Sequence, residues 1–191
     1  MRYRFLIQAA ALFAWATLVA VVTDLVIYPR IHSAWALTIA QVLIYCAMIL
    51  PIVLWARHTF QDFVSPRWQR LVAVLLVAVS LIIAAAVAHH EIEWIGTVLR
   101  VAAAALGEEL IFRGFIWERT RSAGWGASLV IAVNVVAFTL WHIPSVIAGL
   151  NSASVGTFAI LLLVGLILCV LRLVTRSLIL PTAAHFAIDI I

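Results

Sequence analysis

Seven apolar runs dominate the sequence, and each is close to the length that an α-helix needs to cross a bilayer. Such a helix needs about 20 consecutive apolar residues. Of the 191 residues, 66% are hydrophobic and only 10% are charged, which excludes an ordinary soluble domain. The sequence therefore predicts an all-α, polytopic transmembrane helix bundle of about seven spans. The runs are Phe5–Tyr28, Ala34–Trp55, Leu71–Ala88, Trp94–Trp117, Ala127–Ile147, Val155–Leu171 and Leu178–Ile191.

The connections between the runs are short, and the sequence contains no internal repeat and no linker that would separate two domains. Residues 1–191 are therefore expected to form a single transmembrane domain. The first run is longer than the apolar core of a secretory signal, so a retained first helix is expected. The last run is short, and it either ends inside the membrane or continues beyond the sequence given.

The distribution of basic residues predicts the orientation in the membrane. All twelve are arginines. With the N-terminus in the cytoplasm, nine lie on the cytoplasmic side, and Arg30 shares the opposite side with Glu91 and Glu93. The positive-inside rule favours this orientation, and we expect a prokaryotic inner membrane. The nine arginines are Arg2, Arg4, Arg57, Arg67, Arg70, Arg119, Arg121, Arg172 and Arg176.

The fourth run carries charges that an apolar helix would normally exclude. Its segment GEELIFRGFIWERT contains Glu108, Glu109 and Arg113, which together would cost on the order of 10 kcal/mol if they faced lipid. Glu109 and Arg113 are one helical turn apart, in the order that favours an ion pair. Glu108 is rotated by about 100° from Glu109. It therefore requires a different partner.

Three more polar residues lie in apolar runs: His142 in the fifth, and His185 and Asp189 in the seventh. A single intramembrane histidine can simply form a hydrogen bond to a neighbouring helix. Together with the charges of the fourth run, however, these residues indicate a hydrated polar site inside the bundle.

A general base and an oxyanion site are the chemistry that this set favours. A carboxylate shielded from bulk water is an effective base near neutral pH, and a neighbouring histidine can help to deprotonate a water. The remaining histidine and aspartate can stabilise an oxyanion. The sequence lacks a Gly-x-Ser-x-Gly motif, lysine and HExxH, so a glutamate-centred site for amide hydrolysis is expected.

The chain resembles the CAAX protease and bacteriocin-processing family, also called CPBP or Abi, through three motifs in order. Glu-Glu-x-x-x-Arg is matched by Glu108, Glu109 and Arg113. Phe-x-x-x-His is matched by Phe138 and His142, and His-x-x-x-Asn/Asp by His185 and Asp189. Phe112 belongs to a Phe-Arg-Gly continuation that is common in the family. The resemblance covers the motif-bearing core, residues 94–191.

This resemblance implies a glutamic-type intramembrane endopeptidase. Glu108, assisted by His142, would activate water, while His185 and Asp189 would form the oxyanion side. Glu109 and Arg113 would hold the first motif in shape. The remaining expectation is an apolar pocket wall formed by Phe138 and Phe112.

Two departures from the family pattern bear on these expectations. Seven spans are predicted, whereas eight are associated with the CAAX-processing members, so prenylated substrates do not follow from the resemblance. The third motif ends in Asp189 rather than Asn. Because an ionised aspartate donates no hydrogen bond, Asp189 is either protonated or orients His185.

Straight helices with these boundaries would separate Glu108 and His142 by about 13 Å in depth. Helix tilt could close this gap. Alternatively, the segment GFIWERTRSAGWG could dip into the bilayer.

Three alternatives remain open at this point. The first is a non-catalytic scaffold or bacteriocin-immunity-type binding protein, and the second is a transporter. The third is a zinc-dependent membrane protease with Glu108, His142 and His185 as ligands. Otherwise no cofactor is expected. The expected partners are the lipid bilayer and a membrane-bound peptide or protein substrate, with no nucleic acid.

Overall fold

The computed structural model describes residues 2–55, 59, 63–87 and 93–191, and all regular structure in these ranges is helical. The all-α prediction is therefore confirmed. Two π-helical segments, Thr23–Ile27 and Leu110–Ile116, follow α1 and α4 without a break. The α-helices are α1 (Arg2–Val22), α2 (Ala34–Trp55), α3 (Arg67–Val87), α4 (Glu93–Glu109), α5 (Trp117–Ser122), α6 (Ala127–Trp141), α7 (Ile143–Ile147), α8 (Val155–Thr175) and α9 (Ile179–Ile190).

Five helical stretches in the described ranges are long and apolar enough to cross a membrane. The fourth predicted span is helical throughout its length but carries several charges. The seventh corresponds to the shorter apolar helix α9. The protein is thus an integral membrane protein, while the count of seven spans and the orientation remain predictions. The five stretches are Arg2–Arg30, Ala34–Leu54, Arg67–Ala86, Ala127–Ile147 and Val155–Thr175.

Several boundaries differ from the prediction. The first helical stretch continues to Arg30. Arg119 and Arg172, predicted to lie in loops, are buried within α5 and α8. The sequence prediction ends an apolar run at an arginine, but an arginine can lie inside a helix when its side chain bonds to backbone within the bundle. Arg57, Ala88 and Glu91 lie outside the described residues.

The fourth predicted span forms the centre of the bundle. Helix α4 packs against both α2 and α9. Helix α9 also packs against α3, and α6 packs against α8. Every residue from Gly107 to Trp117 is buried. A helix buried on all sides is enclosed by its neighbours, and these neighbours shield the charges of the first motif from lipid.

The first helix packs through small side chains. Ala9, Leu12, Ala16 and Ala20 form its buried face. Small residues allow the backbones of membrane helices to approach closely. The outward faces of the bundle carry exposed large aliphatic side chains, for example Ile160 and Val174 on α8, as a lipid-facing surface requires.

Candidate active site

The first motif forms a buried ion pair that a histidine joins. Arg113 Nη1 donates to Glu109 Oε1 at 3.0 Å, which confirms the predicted pair. His185 Nδ1, from α9, donates to the same oxygen at 2.9 Å. Glu109 and Arg113 are fully buried, and His185 is only 3% exposed. The first and third motifs are therefore in direct contact.

Arg113 also connects the central helix to α8 and α6. Its Nη2 donates to the carbonyl oxygen of Gly165 at 3.2 Å, and its guanidinium carbon lies 4.4 Å from the centroid of the Phe138 ring. A Cβ at position 165 would lie 3.3 Å from Phe138 and 3.7 Å from Arg113. Glycine therefore provides the close approach that this contact requires.

Glu108 faces a different set of partners, as its rotation from Glu109 predicts. Its Oε1 accepts a hydrogen bond of 2.7 Å from Tyr45 Oη on α2. Among the described residues its Oε2 has no hydrogen-bond partner, and it lies 3.7 Å from His185 Nε2. One carboxylate oxygen is thus held in place, and the other is available to a substrate or a water molecule.

Sequence reasoning missed Tyr45, because it lies in a run without charges. The signal that could have found it is Gly107, which directly precedes Glu108. A Cβ at position 107 would lie only 2.5 Å from Tyr45 Cδ1. The glycine therefore lets Tyr45 pack against α4 and reach Glu108.

His142 lies at the junction between α6 and α7 and is half-buried. Its Nδ1 is 2.8 Å from the carbonyl oxygen of Phe138. A carbonyl only accepts, so Nδ1 carries the proton. In the neutral ring, Nε2 is therefore a proton acceptor.

Asp189 follows His185 by one turn of α9. Its Oδ2 lies 3.4 Å from His185 Nε2, and its side chain is 38% exposed. This position suits the orienting role that was predicted as one of two alternatives. His185 then has Glu109 on one ring nitrogen, and Glu108 and Asp189 near the other.

The three motifs meet at one cavity of about 270 Å³. Glu108, His142 and Asp189 all line it, one from each motif. The gap in depth that straight helices predict therefore does not keep Glu108 away from His142. Within the segment GFIWERTRSAGWG, which is one of the two explanations offered for closing that gap, residues Trp117 to Ser122 are helical. Helix α6 begins at Ala127, as predicted. The charged and polar residues of the lining are Thr23, Asp24, Tyr28, Gln41, Tyr45, Glu108, His142, Ser145, Asn151 and Asp189.

Asp24 is a second residue that sequence reasoning did not place in the site. It lies in the π-helical segment Thr23–Ile27, and π-helical turns are frequent at functional sites.

The two phenylalanines that were predicted to form a pocket wall lie behind the cavity. Phe112 and Phe138 are buried and do not belong to the cavity lining. The centroid of the Phe138 ring lies 4.8 Å from the centroid of the His142 ring and 5.8 Å from that of the His185 ring.

The zinc alternative requires Glu108, His142 and His185 to converge on one metal position. Among the described residues, no three His, Cys, Asp or Glu side chains form a group that could hold a metal ion. His142 and His185 each keep Nε2 as the ring nitrogen that could bind a ligand, because Nδ1 is bonded to a backbone carbonyl in His142 and to Glu109 in His185.

Residues 90–191, more than half of the chain, match the family described as type II CAAX prenyl endopeptidase Rce1-like. The chain belongs to this family. The match confirms the resemblance that the three motifs indicate, and it supports a membrane peptidase. No curated protein and no solved structure shows significant similarity to the chain. The matched region contains all three motifs, whereas Asp24 and Tyr45 lie outside it.

Proposed function

We propose that the protein is an intramembrane endopeptidase that hydrolyses a peptide bond with a water activated by Glu108 and His142. One observation carries the proposal: Glu108, whose Oε2 accepts no hydrogen bond from the residues that the structure describes, lines the same cavity as His142. Burying a carboxylate oxygen without a hydrogen-bond donor is unfavourable. A water bound between the two side chains would satisfy it.

In the proposed reaction, Glu108 Oε2 removes a proton from the water. The oxygen of that water attacks the carbonyl carbon of the substrate at the same time. His142 Nε2 accepts a hydrogen bond from the water and holds it in line. The C–N bond of the resulting tetrahedral species then breaks, and the proton on Glu108 passes to the leaving nitrogen. The products are a carboxylic acid and an amine, and the base is restored.

The remaining motif residues position this pair and stabilise charge. Arg113 and Glu109 hold His185 Nδ1, so that His185 Nε2 points toward Glu108 and Asp189. When protonated, His185 Nε2 donates to the developing oxyanion. Asp189 orients this ring. Tyr45 holds the other oxygen of Glu108, so that Oε2 keeps a fixed direction.

The substrate class follows from the family and the location. The substrate is a membrane-associated peptide or protein, and CAAX-type peptides are the first to test because the family carries that description. Leader peptides and C-terminal sorting tails are further classes. The proposed location is a prokaryotic inner membrane.

The test uses wild type, Glu108→Gln and His142→Ala in cell membranes, with His32→Ala as a matched control. His32 is exposed and does not line the cavity. New N-termini in the membrane proteome are measured by mass spectrometry, and each cleaved peptide is then assayed with purified protein. We expect both site variants to lose cleavage by about 10²-fold or more, and the control to keep it.

Folding is measured in parallel by thermal unfolding in detergent. Glu108→Gln keeps an acceptor for Tyr45, so its melting temperature should stay close to that of wild type. If both variants lose folding as well as cleavage, the cluster is structural rather than catalytic. If wild type cleaves nothing that Glu108→Gln leaves intact, the scaffold alternative is the better description.

A further inference from the structure

A second cavity, of about 430 Å³, lies apart from the active-site cavity at the C-terminal ends of α5 and α8. Three arginines line it, Arg121, Arg172 and Arg176, together with Trp117 and Leu173. None of the described lining residues is acidic. Nothing in the proposed reaction uses this group of cations.

Backbone contacts hold the arginines at the cavity. Arg172 is buried, and its Nε donates to the carbonyl oxygen of Arg113 at 3.0 Å. Arg121 Nη1 donates to the carbonyl oxygen of Trp125 at 3.3 Å. Arg176 has a left-handed backbone with φ of 54° and donates its N–H to Arg172 O. The guanidinium groups of Arg172 and Arg121 are therefore held by backbone carbonyls before any ligand binds, and the cap places Arg176 beside them.

The cavity combines this charge with an apolar side at the end of a candidate membrane span. Helix α8 ends at Thr175, directly before Arg176. Leu173 is exposed and Trp117 is buried in the wall. Guanidinium groups bind phosphate through paired N–H donors, and basic pockets between membrane helices bind anionic headgroups. Val170 and Val174 on the same helix are also exposed, and an acyl chain would lie along this surface.

We propose that this cavity binds the phosphate group of an anionic phospholipid. The arginines contact the phosphate, and Leu173 contacts the first carbons of an acyl chain. A free phosphate ion has the same anionic group but would make no favourable contact with the apolar side of the cavity. The geometry therefore favours the lipid over the free ion, and the two sources are separable by experiment.

The test titrates purified protein with phosphatidylglycerol, phosphatidylcholine or inorganic phosphate and measures bound ligand by native mass spectrometry. The variant is Arg121→Gln with Arg176→Gln. The matched control is Arg67→Gln with Arg70→Gln, which removes two exposed arginines of α3. We expect wild type and control to prefer phosphatidylglycerol over phosphatidylcholine. The variant should bind it more weakly, by about fivefold for each arginine removed.

The single variant Arg176→Gln serves if the double variant does not fold, because Arg176 is exposed at a helix end. Equal phosphatidylglycerol binding by wild type and variant would overturn the proposal. So would tight binding of inorganic phosphate with no preference between the two lipids, since the site would then be one for a free anion. Each outcome is independent of the proposed peptidase activity.

Discussion

The buried pair of Glu109 and Arg113 allows a quantitative test of how the site is held together. Both side chains are fully buried, and Arg113 also bonds to Gly165. Replacing Arg113 with methionine keeps most of the side-chain volume but removes the charge. Glu109 would then be a buried carboxylate without its cation, although His185 still donates to it.

The expected cost follows from this orphaned charge. Breaking a buried ion pair by removing one partner costs about 3–5 kcal/mol. The double variant Glu109→Gln with Arg113→Met leaves no unpaired charge, and the introduced glutamine keeps an amide oxygen that accepts from His185. We therefore expect the double variant to be more stable than Arg113→Met alone by at least about 1 kcal/mol.

Arg100→Met is the matched control on the same helix. Arg100 is partly buried and donates to the hydroxyl oxygens of Thr38 and Thr97 at 2.9 and 2.8 Å. These partners are neutral, and Thr38 also donates to the carbonyl oxygen of Ala34. Because none of these described partners would be left as an unpaired charge, the loss should be about 1–3 kcal/mol.

The assay is the free energy of unfolding in mixed micelles, followed by tryptophan fluorescence during titration with a denaturing detergent. The reasoning fails if Arg113→Met destabilises the protein no more than Arg100→Met does. It also fails if the double variant is less stable than Arg113→Met, because the buried carboxylate would then not be the source of the cost.

Two further predictions concern the contact between Tyr45 and α4, and a third concerns metal dependence. Gly107→Ala should destabilise the protein by about 1–3 kcal/mol and lower activity, because its Cβ would displace Tyr45. The control Gly156→Ala lies within α8 and its Cβ would meet Ser154 Oγ at 3.6 Å, an ordinary contact, so it should lower neither quantity. Tyr45→Phe should keep the fold and reduce turnover by about tenfold, since a hydrogen bond to Glu108 is worth about 1–2 kcal/mol. Unchanged turnover would remove Tyr45 from the site. Chelator treatment should leave peptidase activity intact in protein shown to be metal-free by elemental analysis, and activity that returns only with zinc would contradict the proposed metal-free reaction.

Much of the helix pattern could be predicted from the sequence, because apolar runs report membrane spans directly. Ala34–Trp55 matches α2 at both ends, and the starts at Ala127 and Val155 match α6 and α8. The π-helical segments could not be predicted. They depend on how neighbouring helices pack, and no residue pattern in a single sequence marks them.

The charged residues of the candidate site could be predicted from the sequence, because a charged residue within an apolar run requires an explanation. Glu109 and Arg113 pair as expected from their spacing, and Glu108 and Asp189 line one cavity with His142. Tyr45 was not predictable in this way. A tyrosine in an apolar run has no charge to explain, so its role depends on the contact across to α4.

The cavity also shows why the motif-bearing core is incomplete by itself. The motifs and the family match lie within residues 90–191, but the donor to Glu108 comes from α2, and Asp24 comes from the segment after α1. Without these helices, Glu108 Oε1 would lose its hydrogen bond and one side of the cavity would be open to lipid. A buried carboxylate in that state would lose the environment that a general base requires. The first two helices therefore complete the proposed site together with the motifs.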